Sequence, residues 1–445
     1  MFNVLDYGAK GDGITLDTQA IQKAIDDCAE SGGGQVLLPG GRVYRAGTII
    51  LRSHVDFHIE SGAILKASDE IGDFNGLHLM AEIPKGMRVP SYSACDYDGN
   101  PSLYFVYAKD AEDISLSGQG TIDGNESIFY GEVTETHIDG SFYPRAPLVF
   151  LENITHLSVN SLTLCGSAFW TLHMVGCRDV LVDGIRVLNN LRLANCDSID
   201  PDHCQNVRIA NCYLQSADDG IVFKNTAANR KYGACENIVV TNCTILTTSA
   251  AFKFGSESED LFRDIIVSNC QVMTHSNRGI SLQLRDQGSI ENVLFENMII
   301  HSEVKRKPFF WGDGEPIAIT ANRRTKDGGI GHIRHVTFRN ILCEGENGIF
   351  LYGDTDEEGK AKGNISDITF DHVQVLLIRT GSEPWDTYDI RPCYQDGILS
   401  EKHHAFYAEH TGRVVVRECS FTVNHTVKNS VAEAIKIHDS DTVIQ

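Results

Sequence analysis

A short pattern of alternating apolar and polar residues recurs along most of the chain. Each copy has polar residues, then an apolar-x-apolar core, and usually ends in Asn or Asp. The copies are HLSVN (156–160), DVLVD (179–183), NVRIAN (206–211), NIVVTN (237–242), DIIVSN (264–269), NVLFEN (292–297), HVTFRN (335–340) and DITFDH (367–372). Their last residues are 23 to 32 residues apart, with one gap of 43. Period-two alternation repeated at this spacing predicts an all-β solenoid, a parallel β-helix with one coil per repeat.

Equivalent positions of successive coils should stack on one another. Cys212, Cys243 and Cys270 follow the repeated Asn, and Met298 takes that place in the next coil. Three thiols in register could bind a metal, but Cys is a small apolar residue that packs well in an interior column. We therefore interpret these cysteines as core residues and the neighbouring Asn residues as turn formers whose amides bond between coils.

The ends of the solenoid have their own signals. Residues Asp17 to Glu30 carry apolar positions at helical spacing, with Asp17 or Thr18 as N-cap, which predicts an amphipathic helix capping the N-terminal end within residues 1–35. Coils should begin at about residue 35 and include HVDFHIESGAILKA (54–67) and DISLSGQGTIDG (113–124). Residues 376–445 are predicted to form loops and closing strands. Two polar insertions, 80–105 and 125–147, are candidates for walls of a binding site.

Composition narrows the function classes. A chain of 445 residues exceeds the usual domain size, but solenoid coils contact only their neighbours, so residues 1–445 are predicted to form one domain. The formal charge of −22 argues against a nucleic-acid partner, because phosphate binding needs a basic surface. No apolar stretch is long enough to span a membrane. The N-terminus lacks the pattern of a signal peptide, so we expect a cytoplasmic protein unless a signal was removed.

The densest carboxylates of the repeat region lie in NCDSIDPDHC (195–204) and SADDGIVFK (216–224). Asp197 and Asp218 are 21 residues apart, close to one coil, so the two segments should lie on neighbouring coils with Asp197, Asp218 and Asp219 on one surface. Crowding raises the pKa of at least one such carboxyl group, which can then act as an acid while another acts as a base. Glycoside hydrolysis uses this pairing of acid and base.

At these residues the chain resembles the polygalacturonases of glycoside hydrolase family 28, whose motifs NTDGID and DDCIAIK match NCDSID (195–200) and DDGIVFK (218–224). YGAKGDG (7–13), DTQAIQKAI (17–25) and SAFWTLH (167–173) extend the resemblance. It implies a right-handed parallel β-helix and an inverting hydrolase of uronate-containing glycans that needs no cofactor. Asp218 would then be the general acid, Asp197 and Asp219 would position and deprotonate water, and Asp200 would brace the turn.

Two motifs of the family are missing, which leaves the substrate open between uronate- and rhamnose-containing oligosaccharides. Ser249-Ala250-Ala251 stands in place of Gly-His-Gly, and Ser281-Leu282-Gln283 in place of Arg-Ile-Lys. The side chains that could bind sugar instead are Lys224, Lys253, Glu257, Arg285, Arg323, Arg324 and Trp311. Lys253 lies between Phe252 and Phe254 and should point away from the core. Trp170 is expected to be partly buried, with sugar contact as the alternative, and His173 to be structural rather than a substitute for the missing histidine.

Three functions fit these residues. The first is an exo-acting glycosidase that takes oligosaccharides as its partner molecules. The second is a pectate or uronate lyase, which would need a cation and a basic residue. The third is a glycan-binding β-helix without activity, which the missing motifs would favour. The retained Asp197, Asp218, Asp219 and Lys224 favour the glycosidase.

Overall fold

The computed structural model is built on parallel strands joined by turns and loops. It describes residues 1–74, 103–138, 145–275, 277–305, 311–431 and 433–445. The predicted insertion at 80–105 therefore lies largely outside the described residues, whereas the insertion at 125–147 is described except for residues 139–144. By contacts the chain divides into two compact units, Met1–Ala217 and Asp218–Gln445, and the right-handed parallel β-helix predicted for the chain is confirmed. No helix of the described residues is long and apolar enough to cross a membrane.

The N-terminal helix spans Thr18–Glu30 and buries one apolar face against the first strands. Asp17 is the N-cap residue, as expected, but its carboxylate makes no bond to the helix. It accepts instead from the backbone amides of Lys10 and Gly11, at 2.7 and 2.9 Å. The stack also begins earlier than predicted, because Phe2–Asn3 already pairs with the strand Gly34–Leu38.

In the first unit, in-register pairing builds an apolar interior. Leu116, Val159, Val182 and Ile209 occupy one column, and all four are fully buried. The strands of this unit are Phe2–Asn3, Asp12–Leu16, Gly34–Leu38, Val43–Ala46, Ile49–Ile50, Val55–Ile59, Ile64–Ala67, Val106–Gly118, Thr121–Asp123, Val149–Asn160, Thr163–Cys165, Leu172–Val175, Arg178–Asp183, Arg186–Leu188, Ile199–Asp202, Gln205–Ala210 and Tyr213–Ser216. Short 3₁₀ helices lie at Val4–Tyr7, Ile71–Phe74 and Glu126–Phe129.

The second unit is also built from parallel strands that pair in register. Phe295, Phe338 and Phe370 stack face to face along its interior, with ring centroids 5.3 and 5.0 Å apart. Its strands are Ile221–Asn225, Cys235–Thr241, Thr244–Thr247, Phe252–Ser258, Leu261–Ser268, Gln271–Thr274, Ile280–Leu284, Ser289–Ser302, Ile317–Ala321, Ile333–Gly345, Ile349–Tyr352, Ile368–Leu377, Thr387–Asp389, Ile398–Ser400, Phe406–Arg417, Ser420–Val423 and Ile435–Ile444. Short 3₁₀ helices lie at Ala227–Tyr232 and Lys428–Ser430.

The repeated asparagines form a ladder at one corner of the coils. Asn269, Asn297 and Asn340 all have left-handed backbones, with φ between 51° and 57°. The amide of Asn297 donates to the Asn269 side chain at 3.3 Å, and that of Asn340 donates to Asn297 at 2.8 Å. Asn tolerates this conformation better than other residues with a side chain, which explains its recurrence at the turn. The Asn residues therefore form the turns and bond between coils, as predicted. Cys243 and Cys270 are buried beside them, which confirms that they are core residues.

The C-terminal region combines both predicted features. Phe406–Arg417 and Ile435–Ile444 pair in parallel and extend the stack. Before them, Thr387–Asp389 and Ile398–Ser400 form a small antiparallel hairpin. Residues 385–400, which contain this hairpin, are called the strap below.

Candidate active site

Asp219 is held by hydrogen bonds on both of its carboxylate oxygens. One oxygen accepts from the Ser249 hydroxyl at 2.7 Å and from the Ala250 amide at 3.0 Å. The other accepts from Nζ of Lys253 at 2.7 Å. Three donors, one of them charged, fix the orientation of this carboxylate. The segment that replaces Gly-His-Gly therefore serves this acid through a hydroxyl and a backbone amide.

Lys253 reaches Asp219 because of strand alternation. Phe252 and Phe254 are fully buried inside the coil, whereas Lys253 points outward, as predicted, with 16 % of its side chain exposed. Burial lowers the pKa of Lys253, but the charges of Asp219 and Asp218 outweigh this and raise it above the ordinary value. The register pairs Lys253 with Val222 and not with Lys224. Its predicted substrate contact stays a prediction.

Asp218 has a different environment. Its carboxylate accepts from the Asp219 amide at 3.0 Å, and its backbone carbonyl accepts from the Thr247 hydroxyl at 2.5 Å. At 7 % exposed, Asp218 is more accessible than Asp219 at 2 %. Both acids precede the strand Ile221–Asn225, whose buried residues fix the turn. The neighbouring acids thus differ in access to solvent.

Lys224 and Glu257 form a buried ion pair at 3.2 Å. A β-bulge brings them together, because Gly255, Ser256 and Glu257 lie opposite Lys224 alone. Gly255 has φ of 88°, and a Cβ there would meet the carbonyl oxygen of Gln283 at 2.4 Å, so the bulge requires glycine. The structure brings these two predicted residues together, and their contact with sugar stays a prediction.

Several nearby cations lower the pKa of Glu257. Burial raises its pKa, but Lys224, Arg324 and Lys253 outweigh burial and bring it down to about 2. Arg324 also donates to both oxygens of Asp286, at 2.8 and 2.9 Å, and to the carbonyl of Ser256. Asp286 is a residue that sequence analysis missed. Arg324 and Asp286 together hold the bulge that presents Glu257.

Among the candidates on the first unit, Asp197 is buried, two residues before the strand Ile199–Asp202, as Asp219 is before its own strand. Asp200 is fully buried within that strand. His173 is fully buried, with Nε2 3.3 Å from Asp202 and its ring against the buried Trp170. The burial of His173 fits its structural interpretation, and Trp170 is more buried than expected.

The burial of Arg285 argues against its predicted role in binding substrate. Arg285 is fully buried, and its guanidinium donates to the carbonyls of Leu284, Thr320 and Ile390 and to the Thr320 hydroxyl. Burial, followed by the nearby charge of Arg278, lowers the pKa of Arg285 to about 9. The period-two pattern did not show this, because the strap that covers Arg285 comes from 105 residues further along the chain.

The side chain of Arg323 also contacts other residues of the protein. It forms an ion pair with Asp354 at 2.8 Å, donates to the carbonyls of Lys326 and Thr355, and lies over the ring of Tyr394. These contacts hold surrounding loops and do not support its predicted role in binding substrate. Trp311 is half-buried beside residues 306–310, which lie outside the described residues, so its contact with sugar stays a prediction.

Replacing Arg285 by Met should therefore lower stability and leave substrate affinity nearly unchanged. The expected loss is about 2–4 kcal/mol, because several buried carbonyls lose their donor. Thermal unfolding and KM of the folded variant measure the two effects. Lys402→Met, at a surface position, is the control. A several-fold rise in KM without loss of stability would restore Arg285 as a substrate ligand.

Comparison with known proteins identifies the family of the chain. Residues 86–312 match the sequence model of glycosyl hydrolases family 28, and residues 1–94 match that of rhamnogalacturonase A/epimerase, pectate lyase-like proteins. A probable polygalacturonase of Vitis vinifera is 28% identical over 325 residues, which cover 70% of this chain and 62% of that protein. The chain thus spans less than two thirds of this relative's length.

Two further relatives extend the comparison. An exo-poly-alpha-D-galacturonosidase of Dickeya chrysanthemi is 21% identical, over 89% of this chain and 74% of that protein. A family 28 exopolygalacturonase of Yersinia enterocolitica has the same fold, with a TM-score of 0.71 and 18% identity over 98% of this chain and 78% of that chain. Since the family model matches more than half of the sequence, the chain belongs to glycosyl hydrolases family 28.

Proposed function

We propose that the protein is an exo-acting glycosidase that hydrolyses pectin-like oligosaccharides containing uronate or rhamnose, with inversion at the reacting carbon. The observation that carries this proposal is the unequal environment of Asp218 and Asp219. Asp219 accepts three hydrogen bonds, including one from Lys253, whereas its neighbour is the more exposed acid. Unequal environments divide adjacent carboxyl groups into an acid and a base.

In this mechanism Asp218 is the general acid that protonates the leaving oxygen. Asp219, which accepts hydrogen bonds from Ser249, Ala250 and Lys253, holds and deprotonates the attacking water, and Asp197 shares this role by the family resemblance. Inversion follows because the water attacks the face of the sugar opposite to the departing group.

The substrate is less defined than the reaction. Ser281 and Gln283, which replace the Arg and Lys of the family motif, carry no charge and are buried. The cations near the acids are already paired, Lys224 with Glu257 and Lys253 with Asp219. This charge balance leaves room for a neutral sugar such as rhamnose as well as a uronate. The name of the Dickeya relative supports an exo mode of action.

The test is to incubate the purified protein with galacturonate oligomers and with rhamnose-containing pectic oligomers. We expect new reducing ends and release of short products, and proton NMR of the first product should show the inverted anomer. Product that absorbs in the ultraviolet and forms only with added cation would indicate a lyase. Binding of either oligomer without turnover would favour a non-catalytic glycan-binding protein.

A further inference from the structure

The outward face of three successive strands in the second unit is covered. On the strands Ile280–Leu284, Ile317–Ala321 and Ile349–Tyr352, the outward residues Ser281, Ala318 and Phe350 are at most 1 % exposed. Elsewhere in this unit, the outward residues Val239 and Ile266 are 39 % and 40 % exposed. Something other than the strands themselves therefore covers this face.

The cover is the strap, residues 385–400. Tyr388 stacks on Phe350 with ring centroids 4.4 Å apart and packs edge-on against Tyr407. Together with Ala318 and Ile390, these side chains form a buried cluster. The strap is therefore a packed part of the fold, since burying large aromatic rings is a major source of stability.

Three consecutive carbonyls fix the strap to one strand. Arg278 donates to the carbonyl of Asp389, Arg285 to that of Ile390 at 2.7 Å, and Gln283 to that of Arg391 at 2.6 Å. Arg278 and Arg285 flank the strand Ile280–Leu284, and both guanidinium groups are buried. Such charge-assisted bonds hold a segment in one position.

The covered strand is next to the site. Lys253, which binds Asp219, pairs in register with Ser281, so that the strap begins one coil beyond Lys253. Adjacent parallel strands lie about 4.8 Å apart, roughly the length of one sugar residue. A glycan that extends from Asp219 past Lys253 along the stack would therefore meet the strap after about one residue.

We propose that the strap closes the substrate groove at the coil of Ser281 and that it determines the exo mode of action, restricting the enzyme to chain ends. This inference rests on the proposed glycosidase function. Arg278, Gln283 and Arg285 are then positioning residues, because they hold the strap and do not touch the sugar. The substrate class is a glycan that presents a free end, with about one sugar residue beyond the cleaved bond on this side.

The first test asks whether the strap covers Ser281 in solution and needs no substrate. Ser281→Cys in the full chain should react with a maleimide on the order of a hundred-fold more slowly than Ile266→Cys, because labelling requires local opening. Peptide mass analysis separates these sites from the natural cysteines. Equal labelling rates would overturn the closure, whatever the enzyme cleaves.

The second test measures product length. In one variant a Gly-Ser linker replaces residues 386–399. The full-length Tyr388→Ala variant serves if the first does not fold. Either variant should lower the viscosity of a pectic polymer several-fold faster per bond cleaved than the wild type. Equal viscosity loss per bond in wild type and in a folded strap variant would overturn the proposal. If no variant cleaves any glycan while the thiol introduced by Ser281→Cys stays protected, the proposed function fails and the closure stands.

Discussion

Replacing Asp218 by Asn is expected to lower kcat by about 10²–10⁴-fold, because an amide cannot protonate the leaving oxygen. The fold should persist, since Asn keeps the shape of the side chain and an oxygen to accept from the Asp219 amide at 3.0 Å. Reducing-sugar release measures the rate, and thermal unfolding checks the fold. KM should change little, because the lost interaction acts only in the transition state.

Two controls make this prediction specific to an acid. Asp327→Asn makes the same chemical change at an exposed position and should leave kcat unchanged. With an aryl glycoside, whose leaving group needs little protonation, the Asp218→Asn variant should lose far less activity than with an oligosaccharide. Equal losses on both substrates would show that Asp218 is not the general acid.

Replacing Glu257 by Gln is expected to lower the free energy of unfolding by about 3–5 kcal/mol, since removing one partner of a buried ion pair leaves the charge of Lys224 uncompensated. Lys224 is 3 % exposed, and its Nζ lies 3.2 Å from the carboxylate. Urea unfolding at neutral pH measures the loss. The double variant Glu257→Gln, Lys224→Met should recover part of it, because no buried cation remains at this position.

The same pair predicts a pH dependence. The pKa of Glu257 is lowered from its ordinary 4.5 to about 2 in the folded protein. Its stabilising effect is therefore complete above about pH 4.5 and disappears as the pH falls towards about 2. The stability difference between wild type and Glu257→Gln should shrink over that range. A difference that stays constant from about pH 5 to about pH 2.5 would contradict the role given to this pair.

The sequence could predict the coils because every coil repeats one local rule. Alternation placed Phe252 and Phe254 inside and Lys253 outside, and the recurrent Asn marked the left-handed turn. The same local rule places the acids of the family motifs. Asp197 lies just before the strand Ile199–Asp202, and Asp218 and Asp219 lie just before the strand Ile221–Asn225.

What the sequence could not predict depends on contacts between distant segments. Arg285 is followed by the polar residues Asp286 and Gln287, which suggests an exposed cation. The strap nevertheless buries its side chain completely. The bulge that turns Glu257 towards Lys224 breaks the period-two rule, and Asp286 acts through Arg324 from the next coil. Neither propensity nor pattern contains these pairings, because they arise only when the coils are stacked.

The anchors of the strap join residues 105 to 111 positions apart in sequence. Contacts at such separation form late, after the local coils have stacked, because a long loop must first be closed. A nascent or truncated chain that ends before residue 385 could therefore complete its earlier coils while Phe350, Arg278 and Arg285 remain uncovered. Such an unfinished chain would be prone to aggregate, and chaperones and proteases would recognise it by the apolar surface that the strap covers in the complete chain.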